Sequence, residues 1–172
     1  LKTTPSELSR FKTASTKLLI LNTPQNPSGL VYSEEETRAI AQWAVDNNVI
    51  LVADEIYGKL VYNGAKFSSV MSMGNEIVNN TILIDGVSKA YAMTGWRIGY
   101  VVAAPQIIRK ILALQGHMTS NPTAVAQYAA LEALRGDQYP VEEMRLAFEK
   151  RLNQTFDLMQ VISGFSFDHK PE

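Results

Sequence analysis

Apolar and polar residues follow one another in blocks that predict strands separated by helices. Short apolar runs typical of buried strands occupy residues 17–21 and 49–53, and the second run is uninterrupted, as in a parallel strand covered on both faces. Residues 81–84 and 98–104 form two further strand-like runs. Such runs alternating with helical segments predict an α/β fold with a mostly parallel sheet.

Helices are predicted where a capping residue precedes apolar residues at helical spacing. Thr4 caps a short helix in this interpretation, and Ser33 with Glu36 has the spacing of a capping box at the start of a helix over residues 34–47. Three later helices are predicted to begin at Pro105, at Asn121-Pro122 and at Pro140, with ends near Gly136 for the second and Ser163-Gly164 for the third.

Two segments bear on the organisation of the chain. Residues 58–80 are rich in glycine, serine and asparagine, which predicts a long excursion across the surface with a short hairpin around Asn63-Gly64. The only plausible domain boundary lies near residues 136–140. We therefore expect a division into residues 1–139 and residues 140–172, where the long last helix leads into a second, truncated domain.

Polar residues follow the first two predicted strands directly. Residues 22–29 contain two prolines and a glycine, so this loop is rigid and can aim the amide of Asn26 at a ligand, although Asn22 is explained equally well as a simple turn residue. Asp54 ends the second strand, with Tyr57 just beyond it. An unpaired carboxylate there costs several kcal/mol, so Asp54 is expected to cap a turn or to meet a cation.

The third loop carries two cations between strand-like runs. Lys89 follows the run at residues 81–84 and Ser88 precedes it, while Arg97 opens the next run. A desolvated lysine can form an imine with an aldehyde, and an arginine can fork onto a phosphate. Taken singly, each cation is explained equally well as a solvated surface group. An aldehyde that also carries a phosphate is pyridoxal phosphate, and the three loops supply the residue types that it needs.

Composition narrows the class of partner. The chain has 172 residues with 16 basic and 17 acidic side chains, a balance that argues against nucleic acid or an anionic membrane and for a small-molecule ligand. With no cysteine and only His117 and His169 as imidazoles, no metal site is expected. We see neither a secretory leader nor an apolar run long enough to span a bilayer, so a cytoplasmic location is the expectation.

Three stretches together resemble the class I/II aminotransferases of the aspartate aminotransferase group, which are fold-type I pyridoxal-phosphate enzymes. They are Asn22-Thr23-Pro24-Gln25-Asn26-Pro27-Ser28-Gly29, Ala53-Asp54-Glu55-Ile56-Tyr57 and Ser88-Lys89-Ala90-Tyr91-Ala92-Met93-Thr94-Gly95-Trp96-Arg97-Ile98-Gly99-Tyr100. The resemblance implies a three-layer α/β/α large domain and an enzyme that moves an amino group from an L-amino acid to a 2-oxoacid such as 2-oxoglutarate.

The resemblance also implies a role for each candidate residue. Lys89 would bond to the cofactor aldehyde and then move the proton at the substrate Cα, and Asp54 would pair with the pyridinium nitrogen. Tyr57 and Asn26 would hydrogen-bond the phenolic oxygen, with Asn26 also near the substrate carboxylate. Ser88 and Arg97 would bind the phosphate. The Asn26-Pro27 peptide bond is expected to be cis.

This chain differs from the family pattern in one residue and in its length. Many family members have a serine three positions before the lysine, where this chain has Gly86, and some aspartate aminotransferase subgroups resemble it in this. The chain is less than half as long as a family member, so we expect a fragment with little or no turnover by itself. Family members are homodimers that share residues between their active sites, which implies a homodimer for the full-length protein.

Two alternatives to transamination stay open. One keeps the cofactor but performs an elimination, as a carbon–sulfur lyase does, although residues 93–97 favour the aminotransferase. The other is a fragment without catalysis that serves as a binding module. Because a module has no need of a lysine, an aspartate and an arginine converging on one point, the retention of all three stretches argues against it.

Overall fold

A four-stranded mixed sheet forms the centre of the protein. The computed structural model describes residues 2–167 and 169–172. Strands β1 (Leu18–Asn22), β2 (Ile50–Asp54) and β3 (Thr81–Gly86) are parallel, and β4 (Gly99–Val102) runs antiparallel to β3, in the order β1-β2-β3-β4. The predicted α/β class with a mostly parallel sheet is confirmed.

The first two strands begin and end one residue later than the apolar runs predict. Parallel pairing continues to the polar pair Asn22 and Asp54, which are partners in the β1–β2 register. Hydrophobicity marks the buried middle of these strands, whereas the backbone ladder continues to residues whose side chains are polar. Conversely, β4 keeps only four residues of the predicted run at 98–104.

Helix α2 (Glu34–Asp46) covers one face of the sheet and begins as the sequence predicts. The Ser33 hydroxyl accepts from the Glu36 amide at 3.2 Å, and the Glu36 carboxylate accepts from the Ser33 amide at 2.7 Å. Helix α1 (Pro5–Phe11) has the same capping box, formed by Thr4 and Glu7. On its inner side, α2 buries Ile40 and Ala44 completely in the main hydrophobic core.

The segment from residue 58 to residue 80 differs from the prediction. Asn63 and Gly64 form a tight turn with positive φ angles of 56° and 79°, but no strand flanks it among the described residues of this segment. A 3-10 helix (Val70–Ser72) and helix α3 (Asn75–Asn79) follow instead, and they bury Val70, Met73 and Ile77 in the core. Val70 lies in the 3-10 helix, Met73 follows it and Ile77 lies in α3, so no single helical period joins the three residues.

Three longer helices complete the chain: α4 (Pro105–Met118), α5 (Ala124–Arg135) and α6 (Tyr139–Gln160). Helix α5 begins later than predicted because the Thr123 hydroxyl accepts from the Ala126 amide and so caps it. Gly136 ends α5 as predicted, whereas α6 stops at Gln160, before the predicted end near residues 163–164.

The face of the sheet opposite α2 carries exposed apolar side chains. Side chains alternate between the two faces of a strand, so residues in one register row share a face. Ile20 of β1 is 67% exposed, and its row continues through Val52 and Ile82. The exposed side chains on this face belong to Leu18, Ile20, Ile50 and Ile84.

Candidate active site

The loops after β1 and β2 are tied together by Asn22. Its side-chain nitrogen donates to the Asp54 carbonyl at 3.2 Å, and its side-chain oxygen accepts from the Asn26 amide at 2.9 Å. The Thr23 amide also donates to the Asp54 carbonyl, at 3.1 Å. Asn22 therefore fixes the start of the loop that presents Asn26. Its role goes beyond that of a simple turn residue.

Asn26 and Tyr57 come together as the sequence predicts. The Asn26 side-chain nitrogen donates to the Tyr57 hydroxyl at 3.1 Å, across 31 residues of sequence. The Asn26-Pro27 peptide bond is cis, as expected, and so is the Thr23-Pro24 bond. An amide and a phenol thus form one polar pair at the ends of two adjacent parallel strands.

Lys89 reaches the same pair from the third loop. Its ammonium nitrogen lies 5.5 Å from the centroid of the Tyr57 ring, within the range of a cation–π contact. The Ala92 amide donates to the Lys89 carbonyl at 3.1 Å, in a turn that leaves Ala92 with a φ of 54°. Tyr57 therefore contacts both Asn26 and Lys89, and the three predicted site residues follow three different strands.

Asp54 occupies the end of β2 with its carboxylate half-buried. One carboxylate oxygen accepts from the Ile56 amide at 3.3 Å, so Asp54 caps the turn that leads to Tyr57. Within residues 2–167 and 169–172, Asp54 forms no ion pair with a basic side chain. The turn-capping alternative is thus the observed one.

Arg97 and Ser88 lie on the loop that Lys89 occupies but do not contact the other candidates. Arg97 is exposed, has a φ of 56°, and donates to the Thr94 carbonyl at 3.0 Å. Neither side chain forms a hydrogen bond or an ion pair with Asn26, Asp54, Tyr57 or Lys89 in the described part of the chain.

Gly86 has a structural reason to lack a side chain. It pairs with Gly99 across β3 and β4, and a Cβ atom at position 86 would lie 2.8 Å from the Ile98 carbonyl oxygen and 2.9 Å from the Gly99 Cα. Both contacts are with backbone, which cannot turn away. A serine at this position would therefore force the two strands apart.

A second polar cluster, which we call the Glu55 cluster, consists of Glu55, Asp85 and Tyr100. Glu55 is 5% exposed and accepts from the Val70 amide at 2.9 Å, and its burial raises the pKa of its carboxyl. Tyr100 donates to Asp85 at 2.9 Å. Burial and this hydrogen bond raise the pKa of Tyr100. No local pattern in the sequence marks this cluster, whose members line a cavity of about 290 Å³.

A larger cavity of about 410 Å³ opens beside Asn26 and Tyr57. Its far wall comes from Phe148 of α6 and from Pro171. The Glu172 amide donates to the Gly29 carbonyl at 2.8 Å, and the Glu172 carboxylate accepts from the Val31 amide at 3.0 Å. Glu172 thus holds the loop that presents Asn26 through hydrogen bonds to the backbone of Gly29 and Val31.

The described part of the chain contains neither a metal cluster nor a helix suited to crossing a membrane. No group of three or more histidine, aspartate or glutamate side chains in residues 2–167 and 169–172 is arranged to hold a metal ion. Among the helices of that same part of the chain, none combines the length and the apolar character that crossing a membrane requires.

Known proteins similar to this chain are aminotransferases. An asparagine–oxo-acid transaminase of Streptococcus mutans is 48% identical over 164 residues, which are 95% of this chain and 42% of that protein. An aspartate aminotransferase of Geobacillus stearothermophilus is 47% identical over 96% of this chain and 42% of its own length. The chain therefore spans about 42% of the length of these relatives.

Solved structures agree with the sequence relatives. The aspartate aminotransferase of Rhizobium meliloti superposes with a TM-score of 0.94 at 33% identity, over 99% of this chain and 43% of that one. An aromatic aminotransferase of Pyrococcus horikoshii gives 0.87 at 32% identity, over 92% of this chain and 43% of its own. The family model for aminotransferase class I and II matches residues 4–171. This chain belongs to the class I and II aminotransferase family.

Proposed function

We propose that this chain is the cofactor-binding part of a pyridoxal-phosphate-dependent aminotransferase, which moves an amino group from an L-amino acid to a 2-oxoacid. The observation that carries the proposal is the meeting of Asn26, Tyr57 and Lys89 at the ends of neighbouring parallel strands. Ligands of open α/β sheets bind at this edge. The names of the relatives favour aspartate or asparagine as amino donor and favour transfer over elimination.

The donor set at this edge fits pyridoxal phosphate. The cofactor supplies an aldehyde that takes up the amino group and a ring that withdraws electrons from it. Against these groups the chain offers a primary amine on Lys89, a carboxylate on Asp54, and an exposed guanidinium on Arg97 that can fork onto a phosphate.

Each residue then has a task of its own. Lys89 would be the amine that holds the cofactor through its aldehyde and would carry the proton at the substrate Cα. Asp54, held by the Ile56 amide, would pair with the protonated pyridine nitrogen. Asn26 and Tyr57 donate to the phenolic oxygen, and Asn26 also borders the cavity where the substrate carboxylate would lie. Ser88 and Arg97 hold the phosphate.

The organisation of the whole protein follows from this proposal. Residues 1–139 belong to the cofactor-binding domain, and residues 140–172 lead into a smaller second domain. The complete enzyme is a cytoplasmic homodimer that uses 2-oxoglutarate as acceptor. Because the chain spans about 42% of its relatives, we expect it to bind the cofactor by itself but to show little or no turnover.

The absorption spectrum with added pyridoxal phosphate tests the proposal. The chain is expected to develop a visible absorption band, which Lys89→Ala abolishes because the covalent bond to the aldehyde cannot form. Lys110→Ala, which removes an exposed lysine of α4, is the matched control and keeps the band. Circular dichroism verifies that each variant is folded. An undiminished band in folded Lys89→Ala would exclude Lys89 as the reactive amine.

A further inference from the structure

The side chain of Gln138 forms four hydrogen bonds just before α6. Its carbonyl oxygen accepts from the Tyr91 hydroxyl at 2.9 Å and from the Lys59 ammonium at 3.1 Å. Its nitrogen donates to the Ala133 carbonyl at 3.0 Å and to the Gly136 carbonyl at 2.9 Å. An amide side chain has two acceptor sites and two donor hydrogens, so every hydrogen-bonding group of Gln138 is used.

The two donors to Gln138 lie close in sequence to two residues of the candidate active site. Lys59 is two residues after Tyr57, and Tyr91 is two residues after Lys89. The Lys59 ammonium also lies 5.4 Å from the centroid of the Tyr91 ring. One side-chain oxygen therefore joins the loop that presents Tyr57 to the loop that presents Lys89.

The bonds on the nitrogen side fix the direction of the amide. Ala133 and Gly136 lie at the end of α5, where carbonyl groups lack partners within the helix. Because Gln138 satisfies two of these carbonyls, its amide cannot flip without losing both bonds. Gln138 is half-buried with all of its hydrogen-bonding groups paired, so its oxygen presents a fixed point to Tyr91 and to the exposed Lys59.

We propose that Gln138 is a positioning residue that sets the separation between Lys89 and Tyr57. The inference rests on the proposed function in one respect, namely that Lys89 is the reactive amine. Gln138 forms no hydrogen bond with Lys89 or Tyr57 in the described part of the chain and does not line the cavity beside Asn26. It acts through Tyr91 and Lys59. Since it also precedes α6, a displacement of that helix would reach both loops through this one side chain.

Competitive labelling of lysines tests the proposal without any cofactor. The chain is treated with a trace of acetic anhydride, and the labelling rates of Lys89 and Lys110 are compared by mass spectrometry of peptides. In Gln138→Ala the two loops separate, so the Lys89 ammonium loses its contact with the Tyr57 ring. We expect its rate relative to Lys110 to rise about two- to fivefold, the loss of an exposed cation–π contact.

Three further variants make the measurement specific. Gln138→Glu keeps an acceptor oxygen for Tyr91 and Lys59 but loses both donors to the Ala133 and Gly136 carbonyls, so the oxygen is no longer fixed and the rate ratio is expected to rise. Gln127→Ala removes an amide of α5 that donates only to the nearby Pro122 carbonyl, and it leaves the ratio unchanged. Tyr91→Phe removes one hydroxyl with little risk to folding and raises the ratio as Gln138→Ala does.

Each outcome decides the question. An unchanged ratio in both Gln138→Ala and Tyr91→Phe overturns the positioning role, even if both variants melt at lower temperature. A raised ratio in a chain that develops no visible band with pyridoxal phosphate upholds the positioning role and counts against the proposed function. A visible band with an unchanged ratio supports the proposed function and overturns the positioning role.

Discussion

Asp54 and Glu55 are neighbours in sequence but lie in opposite environments. Successive side chains along an extended segment point to opposite sides, so Asp54 faces the candidate active site and Glu55 enters the packed side of the sheet. Glu55 is 5% exposed and belongs to the Glu55 cluster, whereas Asp54 is only half-buried. Of these two adjacent carboxylates, one therefore lies at the candidate active site and the other in the packed interior.

The stability of the protein is expected to depend on pH through Glu55. Burial raises the pKa of its carboxyl above the ordinary value of 4.5, so the folded protein binds this proton more tightly than the unfolded chain. Its contribution to stability is fully present below pH 4.5 and is lost as the pH rises through the folded-state pKa. In Glu55→Gln this loss is absent, so the variant gains stability relative to the original chain as the pH rises above 4.5.

Urea unfolding at a series of pH values measures this difference, and Glu142→Gln is its control. A hydrogen bond from Arg145 lowers the pKa of the exposed Glu142 carboxyl, so its contribution is present at high pH and is lost on acidification. The relative stability of Glu142→Gln should therefore move in the opposite direction. A constant difference between Glu55→Gln and the original chain would contradict the prediction.

Single residues were predictable where position along a strand determines their role. Lys89, Asn26 and Tyr57 each follow a strand-like run, and the parallel sheet brings such residues to one edge. The roles of Glu55 and Gln138 were not predictable, because both depend on pairing with distant residues. Gln138 meets Tyr91 across 47 residues and Lys59 across 79, and no local pattern in the sequence marks such contacts.

Among the elements, the β3–β4 pair leaves little room for a side chain at Gly86. Gly86 and Gly99 face each other where the two strands enter and leave the loop that carries Lys89 and Arg97. With hydrogen atoms in place of side chains, the backbones approach closely at this point. The close packing of β3 against β4 thus explains why this chain has glycine at position 86, where many family members have serine.

Replacing Gly86 by alanine is expected to destabilise the protein. The new Cβ would lie 2.8 Å from the Ile98 carbonyl oxygen, so the strands must separate at a cost of about 1–3 kcal/mol in the free energy of unfolding. Gly116→Ala is the control, because nothing lies within 4 Å of that position in α4 and alanine favours a helix. Chemical denaturation measures both; equal stability of Gly86→Ala and the original chain would contradict the reason given.

Elements were predictable where their ends carry capping residues or prolines. Ser33 with Glu36, Thr4 and Pro105 marked helix starts correctly. The 3-10 helix and α3 were missed because they have only three and five residues, too few for a period to emerge from a serine- and asparagine-rich segment. Burial of Val70 and Ile77 against the sheet stabilises these short helices, and that contact is visible only in the fold.

At the scale of the whole molecule, one side of the sheet is well packed and the other is open. The predicted three-layer arrangement requires a layer over Leu18, Ile20, Ile50 and Ile84, which are exposed in this chain. The chain spans about 42% of the length of its relatives. An apolar surface of this kind favours association.

The chain is expected to self-associate through this face as its concentration rises. Replacing Ile20 and Ile84 together by threonine reduces the apolar area that association can bury and should weaken it about tenfold or more. Leu158→Thr removes an equally exposed apolar residue of α6, 69% exposed, and should leave association unchanged. Sedimentation velocity over a concentration series measures this, and a double variant that associates as strongly as the original chain would rule out this face.

The contact of Glu172 with Gly29 and Val31 joins two segments that the ribosome makes at different times. A ribosome adds roughly 5–20 residues per second, so the 141 residues that separate Val31 from Glu172 take about 7 to 28 seconds to make. During that time, the Val31 amide and the Gly29 carbonyl lack these partners. The loop that presents Asn26 can thus form these two contacts only after the 141 residues that follow it have been made.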